Sequence, residues 1–164
     1  MKKNLFIILV LFFFSGWTNQ KASQINLQEQ ETAKKEIREV VNVIFRSLEK
    51  MDIEALSQSY SDSTNYILIA TDGTIADYQV AKNHHAIWFK SLSSLKITPI
   101  KDEFRFLADN IVVCSWQGKF EMSLKTGKKL KIDKFGITFI FTRIDNQWKV
   151  IYQHSSALPP VQEK

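Results

Sequence analysis

The chain has 164 residues, a length that suits one domain and leaves little room for a second. With 45% hydrophobic and 24% charged residues it can bury a core, which excludes a disordered or low-complexity chain. Its formal charge of +5 falls to +2 once Lys2, Lys3 and Lys21 are set aside, so net charge gives no ground for nucleic-acid binding.

Met1-Lys2-Lys3 followed by the apolar run Leu5 to Phe14 reads as the basic and apolar regions of an export signal over residues 1–23. The run is about half of the roughly 20 residues that a membrane-crossing helix needs, and polar Thr18-Asn19-Gln20-Lys21 follows at once. The expectation is an exported chain, periplasmic or extracellular, with no lasting membrane anchor. Ser15, Gly16, Ala22 and Ser23 offer several cleavage points without an A-x-A pattern, and no cysteine nearby could carry a lipid. Residues 24–31 are polar and read as a short disordered lead-in.

From Thr32 the pattern is helical: Ile37, Val40, Val41, Ile44, Phe45 and Leu48 recur at three- and four-residue spacing on one face. Asp52 reads as the N-cap of a second short helix with Ile53, Leu56 and Tyr60 as its apolar side. Tyr66 to Ala70 is a β-branched and aromatic run closed by Asp72-Gly73, which predicts a short hairpin. A third helix is predicted from Tyr78 to Leu92, with Asp77 as its cap and Val80, His84, Ile87, Trp88 and Ser91 on one stripe.

Beyond Ser94 the chain reads as four long strands, Leu95 to Leu107, Ile111 to Leu124, Leu130 to Ile144 and Trp148 to Ser155. Turn chemistry at Asp109-Asn110, Thr126-Gly127 and Asp145-Asn146 makes consecutive strands antiparallel. The lysines around Thr126-Gly127 read as a solvated hairpin tip. Cys114 is the single cysteine; it excludes an internal disulfide, and its apolar neighbours Val112 and Val113 predict a buried thiol. The tail 159–164 is too polar and proline-rich to extend the last strand. Helix, helix, hairpin, helix and a four-stranded meander give an α+β protein with helices on one face of a curved sheet.

Three segments resemble the nuclear transport factor 2-like superfamily, in its polyketide-cyclase-like (SnoaL-like) branch and in the association domain of calcium/calmodulin-dependent protein kinase. Met51-Asp52-Ile53-Glu54-Ala55-Leu56 with Tyr60-Ser61-Asp62 is similar to the step between the first two helices. Asp109-Asn110-Ile111-Val112-Val113 is similar to the turn into the central strand, and Asp145 to Ser156 is similar to the closing strand. The likeness spans residues 32–158, set out as one domain. It implies a cone-shaped fold in which a strongly bent, mostly antiparallel sheet wraps three N-terminal helices and leaves a pocket, and it implies a homodimer formed through the outer sheet surface. Members are isomerases, dehydratases and cyclases as well as binding and assembly modules, so the fold does not fix the chemistry.

Strand parity gives a pocket inventory, because side chains two apart share a face. Trp148, Val150, Tyr152 and His154 share one face, and Phe135, Ile137, Phe139 and Phe141 another, with Asp133 on their parity. If these faces turn inward, Tyr66, His84, Trp88, Trp116 and His154 are the candidate ligand-binding residues. For catalysis the candidates are His154 as acid or base, Asp133 as a base for proton abstraction and Tyr152 as a partner that polarises a substrate oxygen. His154 can equally serve the strand end structurally, and Asp133 can equally belong to a surface ladder. Adjacent His84 and His85 point about 100° apart on a helix and do not make a metal pair; no metal and no cofactor are expected. Three functions stay open: binding of a small apolar or aromatic molecule, an isomerase, dehydratase or cyclase, and an oligomeric assembly module.

Overall fold

The computed structural model describes residues 26–63 and 65–162, so residues 1–23, read above as an export signal, lie outside the described part. The elements in order are α1 Leu27–Lys50, α2 Ile53–Ser57, β1 Ile67–Ile69, β2 Ile75–Ala76, α3 Tyr78–Ser91, β3 Leu92–Ala108, β4 Ile111–Leu124, β5 Lys129–Ile144, β6 Gln147–Ala157 and β7 Val161–Gln162.

Helix α1 begins five residues before Thr32, inside the stretch read as a disordered lead-in. The reason is local: the Asn26 side chain accepts from the Glu29 backbone N–H, and Glu29 returns the bond to the Asn26 N–H, a capping box that satisfies two helix-end donors. The helix ends where Met51 turns left-handed at φ 56°, and Asp52 then caps α2 through the Ala55 N–H at 3.0 Å. Asp77 caps α3 in the same way, accepting from the Val80 N–H at 2.8 Å.

The strands form one sheet in the order β2-β1-β6-β5-β4-β3, with β7 paired to β5. All neighbours are antiparallel except β1 and β6, which run parallel. The sheet is curled and unclosed, and α1 fills its concave side. Ile37, Ile44, Phe45 and Leu48 of α1 join Val112, Cys114, Phe139, Phe141 and Val150 in a single core. Asp145 and Asn146 both adopt positive φ, the geometry that a two-residue hairpin between long twisted strands requires. The tail does not extend β6; it turns at Pro159-Pro160 and lays β7 beside Leu130 and Lys131 of β5.

Two irregularities control which side chains face the helices. In β5, Ile132 pairs with Phe120 and Phe135 with Gly118, so Asp133 and Lys134 together oppose Lys119. In β6, Tyr152 pairs with Ile140 but Val150 with Phe141, which leaves Ile151 as an extra residue. A bulge of this kind reverses the alternation beyond it. Trp148 and Val150 therefore point inward as expected, but past Ile151 the inward side chains are Gln153 and Ser155.

Candidate functional site

At one end of the sheet the core gives way to a cavity of about 680 Å³. Strands β4 and β5 supply an apolar wall of Phe120, Met122, Ile132, Phe135 and Ile137, and the rings of Phe120 and Phe135 stack at 4.3 Å. Helix α3 supplies His84, His85 and Trp88, and the segment from Ala157 to Pro160 closes another side. Such a mostly apolar concavity with a few polar groups is the usual form of a small-molecule site.

The polar groups come from two places. On β6, the Tyr60 hydroxyl donates to Gln153 Oε1 at 2.9 Å, and Gln153 Nε2 donates to Ser155 Oγ at 3.1 Å, a buried chain that ends at the cavity. Burial pushes the Tyr60 hydroxyl well above the usual phenol range, so it is a donor at neutral pH. On α3, His85 Nδ1 lies 2.9 Å from the Ala81 carbonyl oxygen, one helical turn earlier. Desolvation holds the His85 ring below the usual histidine range, with the Ala81 bond acting in the opposite sense. Of the lining residues Asp72 is the one acid, its carboxyl lowered by the Thr74 backbone N–H, and none is a lysine or arginine.

The sequence-predicted residues divide. His84 and Trp88 line the cavity, His84 exposed and Trp88 half-buried. His154 does not: it lies beyond the Ile151 bulge, exposed on the face turned away from α1, between Thr138 of β5 and Ile69 of β1. Tyr152 is half-buried on that outer face opposite Ile140. Asp133 sits in the β5 bulge, exposed, with its carboxylate 3.2 Å from Lys131 Nζ. The inward orientation read from uniform parity is therefore corrected for all three, and in each case a bulge is the reason. Trp116 is core rather than lining, 5% exposed with its ring centroid 4.3 Å from that of Phe45. Tyr66 packs edge-on between Tyr60 and Tyr78, beside a smaller hollow under α2 rather than in the large cavity.

His85, Gln153 and Ser155 are among the lining residues that sequence reasoning missed. The signal for His85 was its spacing: with Ala81 and Phe89 it forms an i, i+4, i+8 row, and both of those are buried. No group of His, Cys, Asp and Glu among the described residues could hold a metal ion. Burial pushes the Cys114 thiol up to about 12, which leaves it protonated and unreactive at neutral pH.

The comparisons with known proteins agree with this architecture. No curated protein sequence matches the chain. A nuclear transport factor 2-like superfamily protein from Salmonella enterica superposes with a TM-score of 0.72 at 19% identity, over 79% of this chain and 94% of that one. A Xanthomonas campestris protein named for the calcium/calmodulin dependent protein kinase II association domain gives 0.65 at 21% identity, over 76% and 87%. The hexachlorocyclohexane dehydrochlorinase LinA-type3 of Novosphingobium barchaimii gives 0.71 at 11% identity, over 83% and 93%. At these identities the structural likeness speaks for the fold. The sequence model of the calcium/calmodulin dependent protein kinase II association domain matches residues 33–159. The chain belongs to the calcium/calmodulin dependent protein kinase II association domain family, within the nuclear transport factor 2-like fold.

Proposed function

We propose that this chain is an exported binding domain whose cavity takes a small apolar or aromatic molecule. The observation that carries the reading is the wall of Phe120, Met122, Ile132, Phe135 and Ile137 facing Trp88 across about 680 Å³. Burying a ligand ring against that wall removes apolar surface from water at about 25 cal/mol per Å². His154 and Asp133, the acid–base candidates read from the sequence, are exposed away from the cavity, so a catalytic reading would have to rest on His85. Export rests on the basic and apolar segments of residues 1–23, and none of the described helices is long and apolar enough to cross a membrane. Cell fractionation that recovered the full-length chain in the membrane would contradict export with a soluble product.

The test of the cavity is a calorimetric titration with naphthalene derivatives on the parent and on Trp88→Ala. Loss of the indole removes one aromatic face, and affinity is expected to fall about tenfold. Equal affinity for both proteins would place the ligand elsewhere.

A second reading, assembly of two copies through the outer sheet face, is favoured by one observation. Ile67, Tyr152, Ile140 and Val113 stand in register across β1, β6, β5 and β4, an apolar row on the side away from α1. Light scattering should then give twice the chain mass, and Ile140→Lys should give the single mass; a parent that is already monomeric would reject it.

A further inference from the structure

The ligand class can be narrowed from the polar groups of the cavity. The Ala81 carbonyl can only accept, so the His85 nitrogen 2.9 Å away, Nδ1, carries the ring proton. In a neutral imidazole the other nitrogen, Nε2, is then a bare acceptor. Among the described residues every buried side-chain nitrogen or oxygen has a partner, and the bond of His85 is made by Nδ1 alone. Nε2 is therefore accessible, on a ring that borders both the large cavity and the smaller hollow under α2.

Across the cavity the Ser155 hydroxyl oxygen already accepts from Gln153 Nε2, which leaves its own hydrogen to donate. The site thus offers an acceptor on α3 and a donor on β6. It offers no cation: no lysine or arginine lines it, and Asp72 adds negative charge at the rim. A carboxylate or phosphate entering here would lose its hydration with no counter-charge to replace it. A ligand without polar groups would leave Nε2 facing apolar surface, unpaired.

We propose that the cavity selects an uncharged apolar or aromatic molecule bearing a hydroxyl, and that His85 Nε2 accepts the hydrogen bond of that hydroxyl. The proposal rests on the cavity being the binding site. His85 is then the residue that determines specificity, and Trp88 and the sheet wall supply the affinity common to all aromatic ligands.

The experiment is calorimetry at about neutral pH with three ligands of one shape: 2-naphthol, 2-methylnaphthalene and 2-naphthoate. The parent should bind 2-naphthol about tenfold more tightly than 2-methylnaphthalene, and 2-naphthoate most weakly. His85→Phe should abolish the preference for 2-naphthol over 2-methylnaphthalene, because it removes the acceptor that the first ligand pairs and the second leaves unpaired. His85→Gln, which keeps an acceptor oxygen, should retain the preference for 2-naphthol. Tightest binding of 2-naphthoate would overturn the proposal, as would a preference for 2-naphthol that survives in folded His85→Phe. Should His85→Phe not fold, the parent's ranking and that of His85→Gln decide, since loss of the preference in both overturns it. Failure of all three ligands to bind the parent would reject the cavity itself as the site, a result distinct from a wrong ranking.

Discussion

Phe139→Ala is expected to lower the stability of the domain by about 3–5 kcal/mol, the range for truncating a buried phenylalanine. Phe139 is fully buried in the middle of β5, opposite Cys114 of β4 and Gln153 of β6, with the Phe141 ring 5.7 Å away. It belongs to the same core as the apolar stripe of α1, so the lost side chain leaves a space that strands held on both sides cannot close. Urea unfolding followed by tryptophan fluorescence would report it as a lower midpoint at unchanged slope. An unchanged midpoint would mean that β5 presents its other face to α1.

Gly118→Ala is expected to cost about 3 kcal/mol, the upper part of the range for forcing volume into a packed core. A Cβ at this position would stand 2.1 Å from Trp116 Cη2 and 2.6 Å from the Thr98 carbonyl oxygen. Neither neighbour can yield easily. Trp116 is wedged against Phe45 and Phe120, and the Thr98 carbonyl belongs to the backbone of β3, the strand paired with β4 at this point. Glycine is thus what allows the indole to lie across the strand, and the same unfolding measurement checks it. A variant as stable as the parent would show that Trp116 has room to move.

The contrast between fold and site has a single physical source. The long helix and the four-stranded meander were legible because they rest on repeated, redundant signals: a three- and four-residue apolar rhythm in α1, and turn residues at Asp109-Asn110, Thr126-Gly127 and Asp145-Asn146. Orientation within a strand rests instead on a count of residues, and one extra residue reverses it. Nothing in the sequence Lys149-Val150-Ile151-Tyr152 marks Ile151 as the extra residue, because a bulge there needs no glycine and no positive φ. His154 consequently changed sides with Gln153 and Ser155. The same event at Asp133-Lys134 turned the carboxylate outward onto Lys131. The start of α1 was missed for another reason: its first turn, Leu27 to Gln30, is mostly polar and carries no apolar rhythm, and the Asn26-x-x-Glu29 capping box is the one signal for it. His84 and Trp88 lie beside the cavity on α3, while Val80 and Ile87, read as part of the same stripe, are exposed.

The central claim, that the concavity between α3 and the sheet is the binding site, is tested most directly by mapping backbone amide chemical shifts during a titration with 2-naphthol. The predicted result is a contiguous set of perturbed amides on the inner side, including His85, Trp88, Phe135, Ile137, Gln153 and Ser155. Perturbation centred on Val113, Ile140, Tyr152 and His154 of the outer face, or none at saturating ligand, would contradict it.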